Sequence, residues 1–275
     1  MGGNRLFYTW PQVVAKQMKL SRRDFLKLGG AALLGLAGTR FALAQQQDDN
    51  FTAPLIYNGS RKYRYMAFTY DDCYLLSRMH DLEALLDEFP DFHVTFFPVG
   101  EKLLDLDQQD KGIWKRLVEK GHEIGYHTFD HVNLSVMSLQ TALEDFDKWN
   151  NALTEVLGRR YEVKFVRPTY DVISYTLDAL CQERGLVAVL YSIGGGGEPE
   201  LVMNAIRTGR NGDIVQMHIR TQDYDSSKQA FPYLKQEGIG AVTLSRLYDD
   251  LLREKINSDG CDINTGTALT RTCLD

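Results

Sequence analysis

The side chains best suited to chemistry stand in four places: Asp71 and Asp72 in Tyr70-Asp71-Asp72-Cys73, His127 and His131 in His127-Thr128-Phe129-Asp130-His131, Arg167 in Arg167-Pro168-Thr169-Tyr170, and His218. Two histidines four apart share one side of a helical turn, as in two-histidine zinc motifs. A carboxylate such as Asp72 would complete a His-His-Asp set and leave positions open to water and substrate, which a catalytic divalent metal requires. Adjacent aspartates point opposite ways in an extended chain. One of Asp71 and Asp72 can therefore hold the metal while the other takes a proton from water, and Arg167 can aim such a base through a bidentate pair. Taken singly, each place also has a plain structural reading: a solvated turn, a surface charge, or histidines at helix ends. Three of the six histidines fall here, which favours the metal site.

These residues need a scaffold that brings them together from distant parts of the chain. Strand-like apolar runs at 63–69, 93–99, 123–127, 163–166, 186–191, 213–218 and 241–244 alternate with helix-like segments at 79–88, 113–120, 139–157, 175–184, 199–207, 228–236 and 245–256. Pro90, Gly121, Gly158 and Gly185 punctuate helix ends. About seven strand-then-helix units imply a parallel α/β fold, either a closed barrel or a doubly wound sheet. In both, loops after the strands converge on one face. All four reactive places lie at such strand ends, so one cavity can hold them. The domain is expected at 59–256, with 45–58 a linker and 257–275 a polar tail.

Five motifs in order carry a family resemblance: Ala67-Phe68-Thr69-Tyr70-Asp71-Asp72, Val94-Thr95-Phe96-Phe97-Pro98-Val99-Gly100, the run Gly121 to His131, Phe165-Val166-Arg167-Pro168-Thr169-Tyr170, and Ile214-Val215-Gln216-Met217-His218. Together they resemble the polysaccharide deacetylases, the NodB homology domain of carbohydrate esterase family 4. The resemblance implies a distorted (β/α) barrel and a hydrolase dependent on a divalent metal, usually zinc, that removes acetyl from N-acetylated or O-acetylated glycans. By position it makes Asp71 the base, Asp72, His127 and His131 the metal ligands, and Arg167 the residue that positions the base. It makes the backbone N–H of Tyr170 the oxyanion donor and His218 the acid. The expected substrate is an N-acetylated cell-wall or extracellular glycan; an O-acetyl esterase, a small-molecule amidase and a weakly active carbohydrate-binding relative remain alternatives.

The chain departs from the family at four points. Cys73 stands for the usual Gly, and packing is its expected role; Thr169 stands for a second proline; Gln216 stands for a Leu, which alters the expected pocket for the acetyl methyl. The usual Asp and Trp motif before the last histidine is missing, and Tyr191 with a glycine run, Gly194 to Gly197, occupies its place. That run is expected to be a flexible loop.

Residues 1–44 have a separate character. They hold seven basic residues and one acid, so the formal charge of −6 for all 275 residues hides 24 basic and 36 acidic side chains in the remainder. Ser21-Arg22-Arg23-Asp24-Phe25-Leu26-Lys27, a short apolar run and Ala42-Leu43-Ala44 resemble a twin-arginine export signal, with Met18 as an alternative start. The apolar run is shorter than the roughly 20 residues a membrane anchor needs, so a periplasmic or secreted protein and the twin-arginine export machinery as partner are expected. In an oxidising compartment Cys261 and Cys273 are the pair expected to bridge. The acidic remainder argues against a nucleic-acid partner and favours neutral or N-acetylated stretches of glycan. Replacing Arg22 and Arg23 with lysines should leave precursor in the cytoplasm on fractionation; unchanged secretion would refute the twin-arginine reading.

Overall fold

The computed structural model describes residues 51–259. The expected leader at 1–44, the start of the expected linker at 45–50, and Cys261 and Cys273 lie outside the described residues. In chain order the strands are β1 (Leu55–Ile56), β2 (Tyr65–Asp72), β3 (Thr95–Pro98), β4 (Glu123–Ile124), β5 (Phe165–Val166), β6 (Val187–Val189), β7 (Ile193–Gly194), β8 (Ile214–His218) and β9 (Gly240–Ala241). The helices are α1 (Leu76–Glu88), α2 (Gly100–Gln109), α3 (Ile113–Glu119), α4 (Leu139–Leu157), α5 (Tyr175–Arg184), α6 (Pro199–Thr208), α7 (Thr221–Glu237) and α8 (Leu244–Asp259). Among the described residues no helix is long and apolar enough to cross a membrane.

β2 is buried along its whole length, as a strand with parallel neighbours and helices on its outer face must be. One sheet runs β4-β3-β2-β8-β7, with β9 added on β2, and a second runs β1-β6-β5. Every strand pairing is parallel. A bridge between Tyr126 and Val166 joins β4 to β5, and the chain passes from β6 straight into β7. The two sheets thus wrap into a distorted (β/α) barrel with seven strand positions, β2 to β8, the first of the two parallel folds that the alternation of elements allowed and the one that the resemblance implied.

Strand side chains alternate between two surroundings, as a period of two requires. One set, including Tyr65, Ala67, Phe97, Phe165, Val187, Val189 and Ile214, forms a small apolar cluster inside the barrel, joined by Leu244 and Leu247 of α8. The other set, including Met66, Phe68, Phe96, Val166 and Val215, packs outward into the large core under the helices. Continuing the inner stripes toward the strands' C-terminal ends gives Thr69 and Asp71 on β2, Gln216 and His218 on β8, and Arg167 just after β5. The interior therefore changes from apolar to polar at the end where the loops emerge.

The helices begin and end on residues suited to it. Ser138 and Ser174 cap α4 and α5 by accepting the Thr141 and Leu177 N–H groups, and Gly158 and Gly185 stop those helices at φ 66°. Trp149 of α4 is fully buried and donates to the Pro98 carbonyl at 2.8 Å, pinning the end of β3.

Several expectations need correction. β1 lies inside the segment expected as linker, because its two residues pair with Ala188 and Val189. α2 was hidden by its mixture of Leu, Asp and Gln. Ile193 and Gly194 form β7 against β8, so the glycine run is not simply a flexible loop; a side chain on Gly195 would collide with the Gln216 carbonyl. α7 starts at Thr221, earlier than expected, and tolerates Pro232 inside it.

Gly125 allows the interior to close. A Cβ there would overlap the Phe97 ring, and Phe97 lies 5.0 Å beneath the Arg167 guanidinium. Gly125→Ala should lower unfolding stability by about 1–3 kcal/mol, the usual cost of overpacking, measured by urea titration.

Candidate active site

Three loops and two strand ends build the site. β2 ends on Asp71 and Asp72, and Asp71 lies level with Phe97 of β3 and His218 of β8. After β4 the chain turns through His127 to His131, and after β5 through Arg167 to Asp171. The described residues other than glycine with positive φ are Asp72, Cys73, Thr128, His131, Tyr170 and Asp171, between 57° and 67°. Asp72 ends β2 and Cys73 follows it, and the other four fall in these two loops. Left-handed backbone is disfavoured for residues with a Cβ, so the strain is confined to where side chains must be aimed.

The expected side chains converge. Asp72 Oδ1 lies 3.4 Å from His127 Nε2 and 3.1 Å from His131 Nε2, and Asp72 Oδ2 lies 4.0 Å from His218 Nε2. The His127–His131 segment is an irregular loop rather than the expected helical turn; positive φ at Thr128 and His131 brings the rings to 5.2 Å. Its carbonyls at Thr128 and Phe129 accept from the first N–H groups of α2, and Asp145 of α4 accepts from the Phe129 N–H and the Tyr126 hydroxyl.

Arg167 is fully buried. Its Nη1 reaches Asp71 Oδ1 at 3.2 Å and Oδ2 at 3.0 Å; Nε donates to the Val189 carbonyl at 2.7 Å, and Nη2 to Thr69 Oγ1 and the Leu190 carbonyl. The expected two-nitrogen fork on Asp71 is therefore a single nitrogen straddling both oxygens, because the others serve the barrel. The main chain of Arg167 contributes too: its carbonyl lies 2.6 Å from His127 Nδ1. Donation there leaves the Nε2 lone pair of His127 facing Asp72, the usual tether of a metal-binding imidazole.

Electrostatics follow from crowding. Burial pushes the Asp72 carboxyl up, but His127 and His131 beside it outweigh that and hold it well below the usual carboxylate range. Burial disfavours charge on His127, yet the neighbouring Asp72 and Asp71 raise it. Tyr170 is exposed and its ring lies 4.9 Å from that of His131, at the rim. Cys73 is buried in the core with its thiol on the Tyr70 carbonyl at 3.7 Å, and burial pushes that thiol up.

Residues 58–189 match the polysaccharide deacetylase family model. Over 165 residues the chain is 28% identical to the peptidoglycan-N-acetylglucosamine deacetylase PgdA of Listeria monocytogenes, covering 58% of this chain and 34% of that protein. The chain spans less than two thirds of the length of the curated relatives it first matches. Its fold is that of PdaA of Bacillus subtilis, a family 4 carbohydrate esterase, with a TM-score of 0.64 at 21% identity over 77% of this chain and 89% of that one. It is equally that of a family 4 pseudoenzyme of Bacillus anthracis, with a TM-score of 0.63 at 17% identity over 74% and 71%.

The site also holds Thr69 and Asp171, which the sequence did not reveal, and gives Gln216 and Tyr191 partners that it did not foresee. Gln216 donates to Asp71, Asp171 accepts from the Tyr191 hydroxyl, and Thr69 contacts Arg167. Strand alternation was the available signal for two of them, since Gln216 precedes His218 by two residues and Thr69 precedes Asp71 by two. Burial pushes the Asp171 carboxyl up, with the nearby Arg167 opposing. His218 Nδ1 and Asp223 Oδ2 are buried without hydrogen-bond partners, while Asp223 Oδ1 accepts from the Gly196 N–H at 2.9 Å.

The Asp72, His127 and His131 donors suit a divalent metal. Their ligand atoms lie within 4.8 Å of one another, and Asp72 Oδ1 is buried with no hydrogen-bond partner, a costly state for a carboxylate oxygen unless a cation meets it. Two imidazoles and one carboxylate form a common catalytic zinc set. Zinc titration calorimetry should give one site per chain in wild type, and affinity at least about 100-fold weaker in His127→Ala, which loses a ligand and its tether together.

Proposed function

We propose that this protein is an exported, metal-dependent hydrolase that removes acetyl groups from N-acetylglucosamine units of a cell-wall or extracellular glycan. The observation that carries this reading is the Asp71–Arg167 pair standing beside the Asp72, His127 and His131 donors at the mouth of the barrel. A base and a three-donor cation site in contact are what amide hydrolysis by water needs. The listeria relative's activity on peptidoglycan N-acetylglucosamine and the leader-like residues 1–44 support the substrate and the export.

Asp72, His127 and His131 would hold the metal, with zinc favoured by two imidazole nitrogens. When bound, a divalent cation supplies Lewis acidity toward the acetyl carbonyl and the attacking water. Asp71 accepts the proton from that water as its oxygen bonds to the acetyl carbon, and Arg167 keeps the carboxylate aimed. The backbone N–H of Tyr170, on the exposed turn facing His131, donates to the oxyanion that develops on the acetyl oxygen. His218 gives a proton to the glucosamine nitrogen as the carbon–nitrogen bond breaks. Acetate and a free amine leave.

Acetate release from a panel of N-acetylated and O-acetylated glycans tests this. The expected result is zinc-dependent release from N-acetylglucosamine polymers, lowered at least about 100-fold in Asp71→Asn with zinc content unchanged, the usual scale of general-base removal. Equal release by wild type and Asp71→Asn, with both holding metal, would overturn the proposal.

A further inference from the structure

The buried Gln216 side chain stands between two carboxylates. Its Nε2 donates to Asp71 Oδ2 at 2.7 Å and to Asp171 Oδ1 at 3.3 Å. The second Asp171 oxygen accepts from the Tyr191 hydroxyl at 3.1 Å, and the Tyr191 ring lies 5.8 Å from the Arg167 guanidinium carbon. Arg167 returns to Asp71, so Tyr191, Asp171, Gln216, Asp71 and Arg167 close a ring.

The pieces of this ring are placed at a cost. Asp171 holds φ 57°, although no step proposed above uses its carboxylate. Gln216 is opposite Thr69 on one side and Gly194 on the other, and Gly194 presents no side chain to compete for the space. Charge explains why an amide belongs there. Two carboxylates share one guanidinium, so a third carboxylate at position 216 would add repulsion, while an apolar side chain would remove a donor from both aspartates. The amide offers one N–H to each and adds no charge.

The two oxygens of Asp71 are thereby made unequal. Oδ2 accepts from both Arg167 and Gln216, whereas Oδ1 accepts only from Arg167 Nη1, at 3.2 Å. An ionised carboxylate has about four lone-pair sites, and donors already on one oxygen reduce its capacity for a further proton. We infer that Gln216, itself held by Asp171 and Tyr191, is a positioning residue that fixes the Asp71 carboxylate through Oδ2 and leaves Oδ1 as the oxygen that takes the proton. This rests on Asp71 acting as the base of the proposed deacetylase.

Steady-state acetate release from N-acetylchitohexaose, with zinc content and thermal melting measured on the same samples, tests it. Gln216→Leu should lower kcat about tenfold to a hundredfold, the worth of one hydrogen bond to a charged group, with KM within about twofold of wild type and zinc content unchanged. Gln216→Glu keeps the side-chain size but cannot donate when ionised, and should lose at least as much kcat. Unchanged kcat in Gln216→Leu, a change confined to KM, or wild-type kcat in Gln216→Glu would each overturn the inference. Asp71→Asn separates the two levels: its full activity would sink the base assignment, whereas its inactivity beside a fully active Gln216→Leu would sink only the role of Gln216. A crystal structure of Gln216→Leu reads positioning without any substrate. The Asp71 carboxylate should be turned or split over two orientations, and an unmoved carboxylate would overturn the inference.

Discussion

A guanidinium buried to the last atom must find an acceptor for nearly every N–H it carries, and the upper layer of this barrel is arranged around that demand. Leaving such a charge unpaired would cost several kcal/mol, so the strands around Arg167 supply the Val189 and Leu190 carbonyls, the Thr69 hydroxyl and the Asp71 carboxylate. The Phe97 ring covers it from below, and Gly125 leaves room for that ring. The same residue reaches the metal donors through its main chain, since its carbonyl fixes the tautomer and direction of His127. One position just after β5 therefore orients both the proposed base and a proposed metal ligand. Their relative placement is set by a single residue's geometry rather than by two independent loops.

The strain pattern fits this division of labour. The barrel below is made of strands with ordinary backbone and an apolar interior, and the left-handed residues are gathered at the end of β2 and in the two loops above it. Each such residue costs on the order of 1 kcal/mol. The loops carry that cost because they are tied down elsewhere: the 127–131 turn by α2 and Asp145, the 168–171 turn by Thr169 on the Val132 carbonyl. Rigid support below and strain above is the arrangement expected where side-chain direction is worth more than stability.

Much of this was legible in the sequence because it depends on period and order. The alternation of elements announced a parallel α/β fold, the family resemblance selected the barrel, and strand-end positions announced that Asp71, Asp72, His127, Arg167 and His218 share a face. The opposite directions of Asp71 and Asp72 followed from an extended chain alone. The four-residue spacing of His127 and His131 pointed to the right pair for the wrong reason, since an irregular loop and not a helical turn brings them together. What stayed hidden depends on side chains meeting across elements with no local pattern. Asp171 reaches Gln216 only because two consecutive residues adopt left-handed backbone, which Tyr170 and Asp171 do not advertise by type. β1 and β7 are two residues each, too short for periodicity, and exist because neighbouring strands offer them partners.

Because an esterase and a pseudoenzyme have this same barrel, the barrel itself says little about turnover. The distinction has to lie in a few polar side chains at its mouth and in how firmly they are held. The Asp and Trp motif expected from the resemblance is missing, yet the space beside Arg167 is filled by Tyr191, and a carboxylate, Asp171, enters from a different loop. Gln216 couples that carboxylate to Asp71. Four of the groups are linked by hydrogen bonds from Tyr191 through Asp171 and Gln216 to Asp71, Asp71 is bonded in turn to Arg167, and the Tyr191 ring beside the guanidinium closes the circuit. A neutral two-donor side chain between two acids holds the Asp71 carboxylate, already paired with arginine, in one orientation. That orientation belongs to these side chains and not to the fold, which the pseudoenzyme shares.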